Sequence, residues 1–258
     1  DNPNQYRLDG EWRDLEVGEV KLKLKLWGFI PWSVKREVLR SVHGPALRTE
    51  HGVYAVRYAG IDEMKQVEQW LAMNKAKNFE EWRAAVALNH IQSFNFVYAN
   101  RHGDIHFIHN AQLPVRAPGW NWQQYLPGNR SDLIWQRYHP TSALPQVTNP
   151  GSGFVHSANQ TPFNITEPQD NPQPNAVPAD GGWQTRMTNR ATRGLELFSD
   201  FEQISFDEAW ELKHDNSYSV NYRGIAFLSE VIALPRASDT VSRAIEILET
   251  WDLETDKE

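Results

Sequence analysis

The 258-residue chain contains no cysteine. Disulfides, thiolate nucleophiles and cysteine-ligated metals are therefore excluded, although the compartment stays open. No apolar run approaches the roughly 20 residues that a membrane helix needs. Positive charge is not in excess either. With 33 acidic and 26 basic residues the net charge is −7, which argues against nonspecific nucleic-acid binding. Several enzyme signatures are missing: the Gly-x-Ser-x-Gly elbow, a phosphate loop, the dinucleotide glycine fingerprint and His-Glu-x-x-His. Internal repeats and low-complexity tracts are absent. The chain opens Asp1-Asn2-Pro3-Asn4, without an initiator Met or a signal-peptide pattern, as expected of a processed or excised piece.

What is present favours a packed soluble core, with 40% hydrophobic and 23% charged residues. Eleven tryptophans fit a sugar-binding or apolar-ligand protein, and equally a large ordinary core. Glu19 to Leu26 alternates strictly. Val20, Leu22, Leu24 and Leu26 share one face and Lys21, Lys23 and Lys25 the other, which predicts a strand with one wet face. The lysines also suit an edge guard, with basic nucleic-acid contact as the sharper alternative. Val34 to Val42 and Gly52 to Tyr58 are further strand candidates. A helix is expected over Glu63 to Asn74, with Met64, Val67, Trp70 and Leu71 on one stripe. Asn78 caps a second helix, with Glu81 completing a capping-box variant and Trp82, Ala85 and Val86 following.

Ser93 to Asn100 and Ile105 to His109 read as a hairpin across Arg101-His102-Gly103-Asp104. His106 and His109 fall on opposite faces of their strand and cannot chelate one metal together. Gln112 to Ser152 is a proline-rich loop holding Trp120, Trp122 and Trp135, long enough to be functional or wrapped over another part of the protein. A second polar loop, Asn164 to Gly182, contains Asp170. Helices are expected near Thr185–Phe198, Phe206–His214, Ile225–Ala233 and Ser238–Thr250, with a capping box at Ser205 and Glu208. Strands thus concentrate in residues 1–160 and helices in 184–258, an α+β pattern without a convincing boundary.

Gly153-Phe-Val-His-Ser-Ala-Asn159-Gln-Thr-Pro162 reads as a buried strand that stops at a proline. An asparagine amide at a strand mouth can donate to a developing oxyanion. It can equally be a turn residue. Carboxylates are plentiful but unplaced, so glycosidase chemistry stays open on the residues alone.

An ordered set of segments carries a resemblance. They are Arg40 to Pro45, Trp70 to Trp82, Phe94 to Ile105, Trp120-Asn-Trp122, Asn149 to Gly153 running into Asn159 to Pro162, and Thr185 to Arg190. Together they resemble the β subunit of the penicillin acylase family of N-terminal-nucleophile hydrolases, and are most similar to its acyl-homoserine-lactone and aculeacin acylases. The resemblance covers about Arg36 to Phe198. It implies an αββα sandwich, two antiparallel sheets flanked by helices, of which residues 1–258 would be an internal part of the β subunit. It also implies a serine nucleophile at the free N-terminus of that subunit, released by self-cleavage, with its own α-amine as base. That serine has no counterpart here. The piece alone is therefore expected to be inactive, with the α subunit and the start of the β subunit as its partners.

By position, the resemblance makes Asn159 the side-chain donor of the oxyanion hole and Arg190 the arginine that orders the site, with Arg186 as the other choice. Phe94 falls at an apolar acyl-pocket position, where plain core is the other reading. Asp170 falls near a calcium-ligating aspartate and Pro118, less well, near a carbonyl ligand. No cofactor is required for the chemistry; a structural calcium is implied. The implied substrate is a small amide with a hydrophobic acyl group on a β-lactam nucleus, an acyl-homoserine lactone or a lipopeptide. The implied setting is the periplasm or the cell exterior, from a zymogen, in antibiotic response or quorum quenching, with no nucleic acid and no membrane as partner. The other class of reading is a non-catalytic scaffold or a module that binds ligands through its Trp-rich loop.

Overall fold

The structure, a computed structural model, describes residues 2–199, 201 and 203–255. It is α+β, with antiparallel sheets and flanking helices. A two-stranded ribbon comes first, β1 (Gln5–Leu8) with β2 (Glu11–Asp14). A four-stranded meander follows: β3 (Glu16–Leu26), β4 (Ile30–Ser41), β5 (Gly44–Thr49) and β6 (Gly52–Ala55). Two helices, α1 (Gln66–Lys75) and α2 (Phe79–Val86), lead into a three-stranded sheet of β7 (Ser93–Ala99), β8 (Ile105–Ala111) and β9 (Gln146–Thr148). Four helices close the chain: α3 (Asn189–Ser199), α4 (Phe206–Lys213), α5 (Leu228–Ile232) and α6 (Asp239–Thr250).

The long hairpin of β3 and β4 pairs Leu22 with Val34, Leu24 with Trp32 and Leu26 with Ile30. Alternation therefore builds the apolar face that the sequence predicts. That face is not covered. Leu22, Leu24, Leu26 and Trp32 are exposed, as are Trp27 and Phe29 at the turn, so both sides of the hairpin are wet in this chain.

Helices α1 and α2 lie on one face of β7 and β8. Met73, Trp82, Ala85, Val86, Ile91, Phe96 and Ile108 form the core between them. Asn78 caps α2 as expected, accepting from the Glu81 amide at 2.9 Å, while Glu81 accepts from the Lys77 amide. Ser205 and Glu208 close a reciprocal capping box on α4, and Ser238 caps α6. The expected stripe on α1 is turned away from the core. Met64, just before the helix, and Val67 and Leu71 on it are exposed, and only Trp70 packs, edge-on against Phe94 and Phe96. The buried face carries Gln69 instead.

Gln69 is fully buried and its side chain replaces a missing stretch of secondary structure. Its Oε1 accepts from the amides of His90 and Ile91 at 2.6 and 2.9 Å, and its Nε2 donates to the Val86 carbonyl. Gln69→Leu would leave two amides without acceptors. Each such loss costs about 1–3 kcal/mol, so the unfolding free energy from denaturant titration should fall by roughly that sum, whereas Gln69→Glu should retain the acceptor.

Two histidines couple this fold to pH. His106 is buried under Trp82 and Phe79, with Nδ1 2.7 Å from Thr148 Oγ1, and burial, reinforced by Arg83, lowers its pKa to about 4. Burial also lowers His156 to about 4. Both are neutral in the folded protein where the unfolded chain already binds a proton. Their stabilisation is complete above about pH 6.5 and is lost as pH falls towards 4. Each contributes a slope of about 1.4 kcal/mol per pH unit in that window. Melting curves between pH 7 and 4 should show this loss, and His106→Gln should flatten part of it.

Candidate active site

The segment expected to be a strand at Gly153 is not one. Asn149 and Gly153 take positive φ, 47° and 79°, and turn the chain sharply on either side of Pro150. Past that turn the segment forms no ladder among the described residues and makes isolated backbone contacts, from the His156 amide to the Ile165 carbonyl at 2.9 Å and from the Thr161 amide to the Arg186 carbonyl at 3.4 Å. Side chains satisfy other polar groups. Thr166 Oγ1 donates to the Phe154 carbonyl, and Gln160 folds back on its own loop. The segment also does not join the sheet of β7. It only touches it, through Asn95 Nδ2 donating to Ser157 Oγ at 3.2 Å.

What positions this segment is helix α3. Arg190, Gly194 and Phe198 recur every four residues and so share one helix face. Phe198 stacks on Phe154 with ring centres 5.7 Å apart and meets His156 at 6.1 Å. Gly194 makes room for the imidazole. A Cβ there would sit 2.5 Å from His156 Nε2. Arg190, at the start of the helix, donates from Nη2 to Asn159 Oδ1 at 3.0 Å. The segment thus runs antiparallel along α3, with its apolar end at Phe154 and its polar end at Asn159.

The turn at Asn159 is built around Gln160. Its Nε2 donates to the carbonyls of His156 and Asn164 and lies 2.9 Å from His156 Nδ1; its Oε1 accepts from the Ala158 amide. Since the nitrogen end of Gln160 faces Nδ1, His156 accepts there and carries its proton on Nε2, against Gly194. Asn159 itself sits at φ 58°, a left-handed conformation that asparagine tolerates better than most residues. It is therefore a turn residue and a polar group at once.

An arginine can only donate, so the Asn159 atom facing Arg190 must be the carbonyl oxygen. The amide nitrogen then points elsewhere, and among the described residues it makes no hydrogen bond. Asn159 is exposed. The result is a free amide donor with a fixed orientation. Arg186 does not compete for this role with its side chain; only its backbone carbonyl meets the loop, accepting from the Thr161 amide.

The other expected site residues lie at varying remove. Phe94 is exposed on β7, packed against Trp70 at 5.8 Å, and its neighbour Asn95 is the residue that reaches Ser157. Asp170 holds the start of the segment, accepting from the Ser152 amide at 2.8 Å. Pro118 lies in a loop that Arg116 ties to Asp180 rather than to Asp170. Among the described residues no group of three or more His, Asp or Glu side chains is placed to hold a metal. Calcium takes six to eight oxygens, and these residues do not fit such a site by themselves.

Among the described residues, the serine at this segment's contact with β7 is not an activated nucleophile. Ser157 accepts from Asn95, and Asn95 Oδ1 is 2.7 Å from His109 Nδ1. The amide stands between hydroxyl and imidazole, so the imidazole cannot take the serine proton directly.

The sequence and the fold have counterparts. A sequence profile of the family described as penicillin amidase matches residues 1–258. The chain belongs to the penicillin amidase family. It is 26% identical over 263 residues to penicillin G acylase of Escherichia coli, an alignment covering 98% of this chain and 29% of that protein. Its fold matches that of a thermostable penicillin G acylase from Alcaligenes faecalis with a TM-score of 0.67 and 24% identity, over 100% of this chain and 45% of that one. The chain therefore spans less than half the length of each of these penicillin amidase relatives, 29% of one and 45% of the other. The sequence singled out Asn159 and Arg190 but not the residues that bring them together, His156, Gln160, Gly194 and Phe198. The four-residue spacing of Arg190, Gly194 and Phe198 on an expected helix was the available signal for α3.

Proposed function

We propose that the chain is part of an acylase that hydrolyses the amide bond between a hydrophobic acyl group and a small amine. The observation that carries this is the Arg190–Asn159 contact, which occupies the amide oxygen and leaves the amide NH2 group free and oriented by a charged partner. Such a donor suits the oxygen of a tetrahedral intermediate, where negative charge develops. Arg190 acts through Asn159 as a positioning residue. Phe94 with Trp70 would supply an apolar wall for the acyl group. The nucleophile and its base come from protein outside these 258 residues, in keeping with the 29% share of the acylase relative that the chain covers. A β-lactam nucleus, a homoserine lactone or a lipopeptide would each serve as the amine side, and the periplasm or the cell exterior would be the setting. Asp170 would lend at most one oxygen to a calcium held mainly by the rest of the protein, and no step of the reaction runs through it.

The full-length protein should release amine from phenylacetyl or long-chain acyl amides, and the isolated 258-residue piece should not. Turnover by the isolated piece would place the nucleophile inside it and overturn the division of labour. A full-length protein silent on both acyl classes would favour a non-catalytic module. The observation favouring that second reading is a large aromatic cavity away from Asn159.

A further inference from the structure

One cavity among the described residues does not touch Asn159, Arg190 or Phe94. It holds about 600 Å³ and lies between the first ribbon, the edge of the four-stranded sheet and the Trp-rich loop. That volume falls within the range of small-molecule sites. Its walls are aromatic. Tyr125 of the loop leans on Tyr54 with ring centres 5.2 Å apart, and Trp122 faces Trp135 at 6.4 Å.

The charge of the lining is one-sided. The chain as a whole is acidic, yet no aspartate or glutamate lines this cavity, whereas Arg7 and Arg57 both do. The arginine ion pairs of the described residues involve neither of them. Arg7 donates to the Gly10 carbonyl. Arg57 donates to the carbonyls of Val42, His43 and Trp135, and its guanidinium lies 5.6 Å from the Trp135 ring. Its Nε and the Trp135 indole nitrogen are buried with no acceptor among the described residues. Two guanidinium groups without a carboxylate partner among the described residues, on the wall of an aromatic space, define one ligand chemistry: a carboxylate on an apolar or aromatic body. The carboxylate would gain charge-assisted hydrogen bonds, and the body would bury apolar surface.

We propose that this cavity is a binding site for an amphipathic carboxylate, separate from the amide-hydrolysing site. Tyr125 and Trp122 hold the apolar body and Arg7 and Arg57 the acid group. The site is independent of how Asn159 acts.

Calorimetric titration of the full-length protein with 4-phenylbutyrate, against 4-phenylbutan-1-ol as the uncharged control, tests this. The acid should bind and the alcohol should bind at least tenfold more weakly. Arg7→Gln and Arg57→Gln should each weaken the acid by about tenfold or more, and Ala55→Trp, which fills the space, should abolish binding there. Arg7 is exposed at the mouth, so its variant stays informative if Arg57→Gln fails to fold. Amide turnover should be unchanged in Arg7→Gln. No binding of the acid, equal binding of acid and alcohol, or acid binding that survives both Arg7→Gln and Ala55→Trp would each overturn the proposal.

Discussion

In the full-length protein of the proposed acylase, Asn159→Ala is expected to lower kcat by about 10²–10³ and to leave KM nearly unchanged. The substrate carbonyl becomes tetrahedral during attack and its oxygen gains charge. A preorganised amide donor at that oxygen is worth roughly 2.7–4 kcal/mol. The contact strengthens only as the charge develops, so its loss falls on kcat rather than on KM. Asn159→Asp should be at least as damaging, because a carboxylate lacks the donor and repels the oxyanion. Self-cleavage of a precursor, which the proposed acylase would require, would also pass through a tetrahedral centre, so processing must be verified by mass before rates are compared. If Asn159 serves only its left-handed turn, both variants lose about 1 kcal/mol of stability and keep full turnover per folded molecule.

The second large effect is expected at Arg190. Its hydrogen bond to Asn159 Oδ1 is the contact that fixes the amide orientation. Without it the amide can turn and present its oxygen to the oxyanion. A hydrogen bond to a charged group is worth about 1.5–3 kcal/mol, so Arg190→Ala should cost about 10–10² in kcat. Arg190→Lys should recover part of this, since an ammonium also donates but lacks the planar fork. A merely structural role on α3 would instead lower the melting temperature and leave kcat per folded molecule intact, with no rescue by lysine.

These expectations show what the residues disclosed and what they withheld. The hairpin of β7 and β8 was legible because alternation and turn residues both pointed to it, and the caps at Asn78 and Ser205 were legible because capping is local chemistry. The strand expected at Phe154 fails for the opposite reason. Its apolar residues pack against Phe198 of a helix, and the partners of its polar groups are mostly side chains such as Thr166 and Gln160, which no periodicity announces. On α1 the stripe was read correctly as a stripe, but periodicity does not say which face meets the core. There a single glutamine, Gln69, outcompetes it by satisfying the backbone at His90 and Ile91. Asn159 and Arg190 were reached through resemblance, each at its own position. That they touch is a tertiary fact, made possible by Gly194 admitting His156 and so letting the segment lie along the helix.

The central claim is that Arg190 acts through Asn159. The measurement that addresses it most directly is a double-mutant cycle on kcat in correctly processed full-length enzyme, combining Asn159→Ala with Arg190→Ala. Once Asn159 has lost its amide there is nothing left for Arg190 to orient. The double variant should therefore turn over at nearly the rate of Asn159→Ala alone, with a coupling about as large as the whole Arg190→Ala effect. Two losses that simply multiply, leaving the double variant another 10–10² slower, would show that the two residues act independently and would contradict the account.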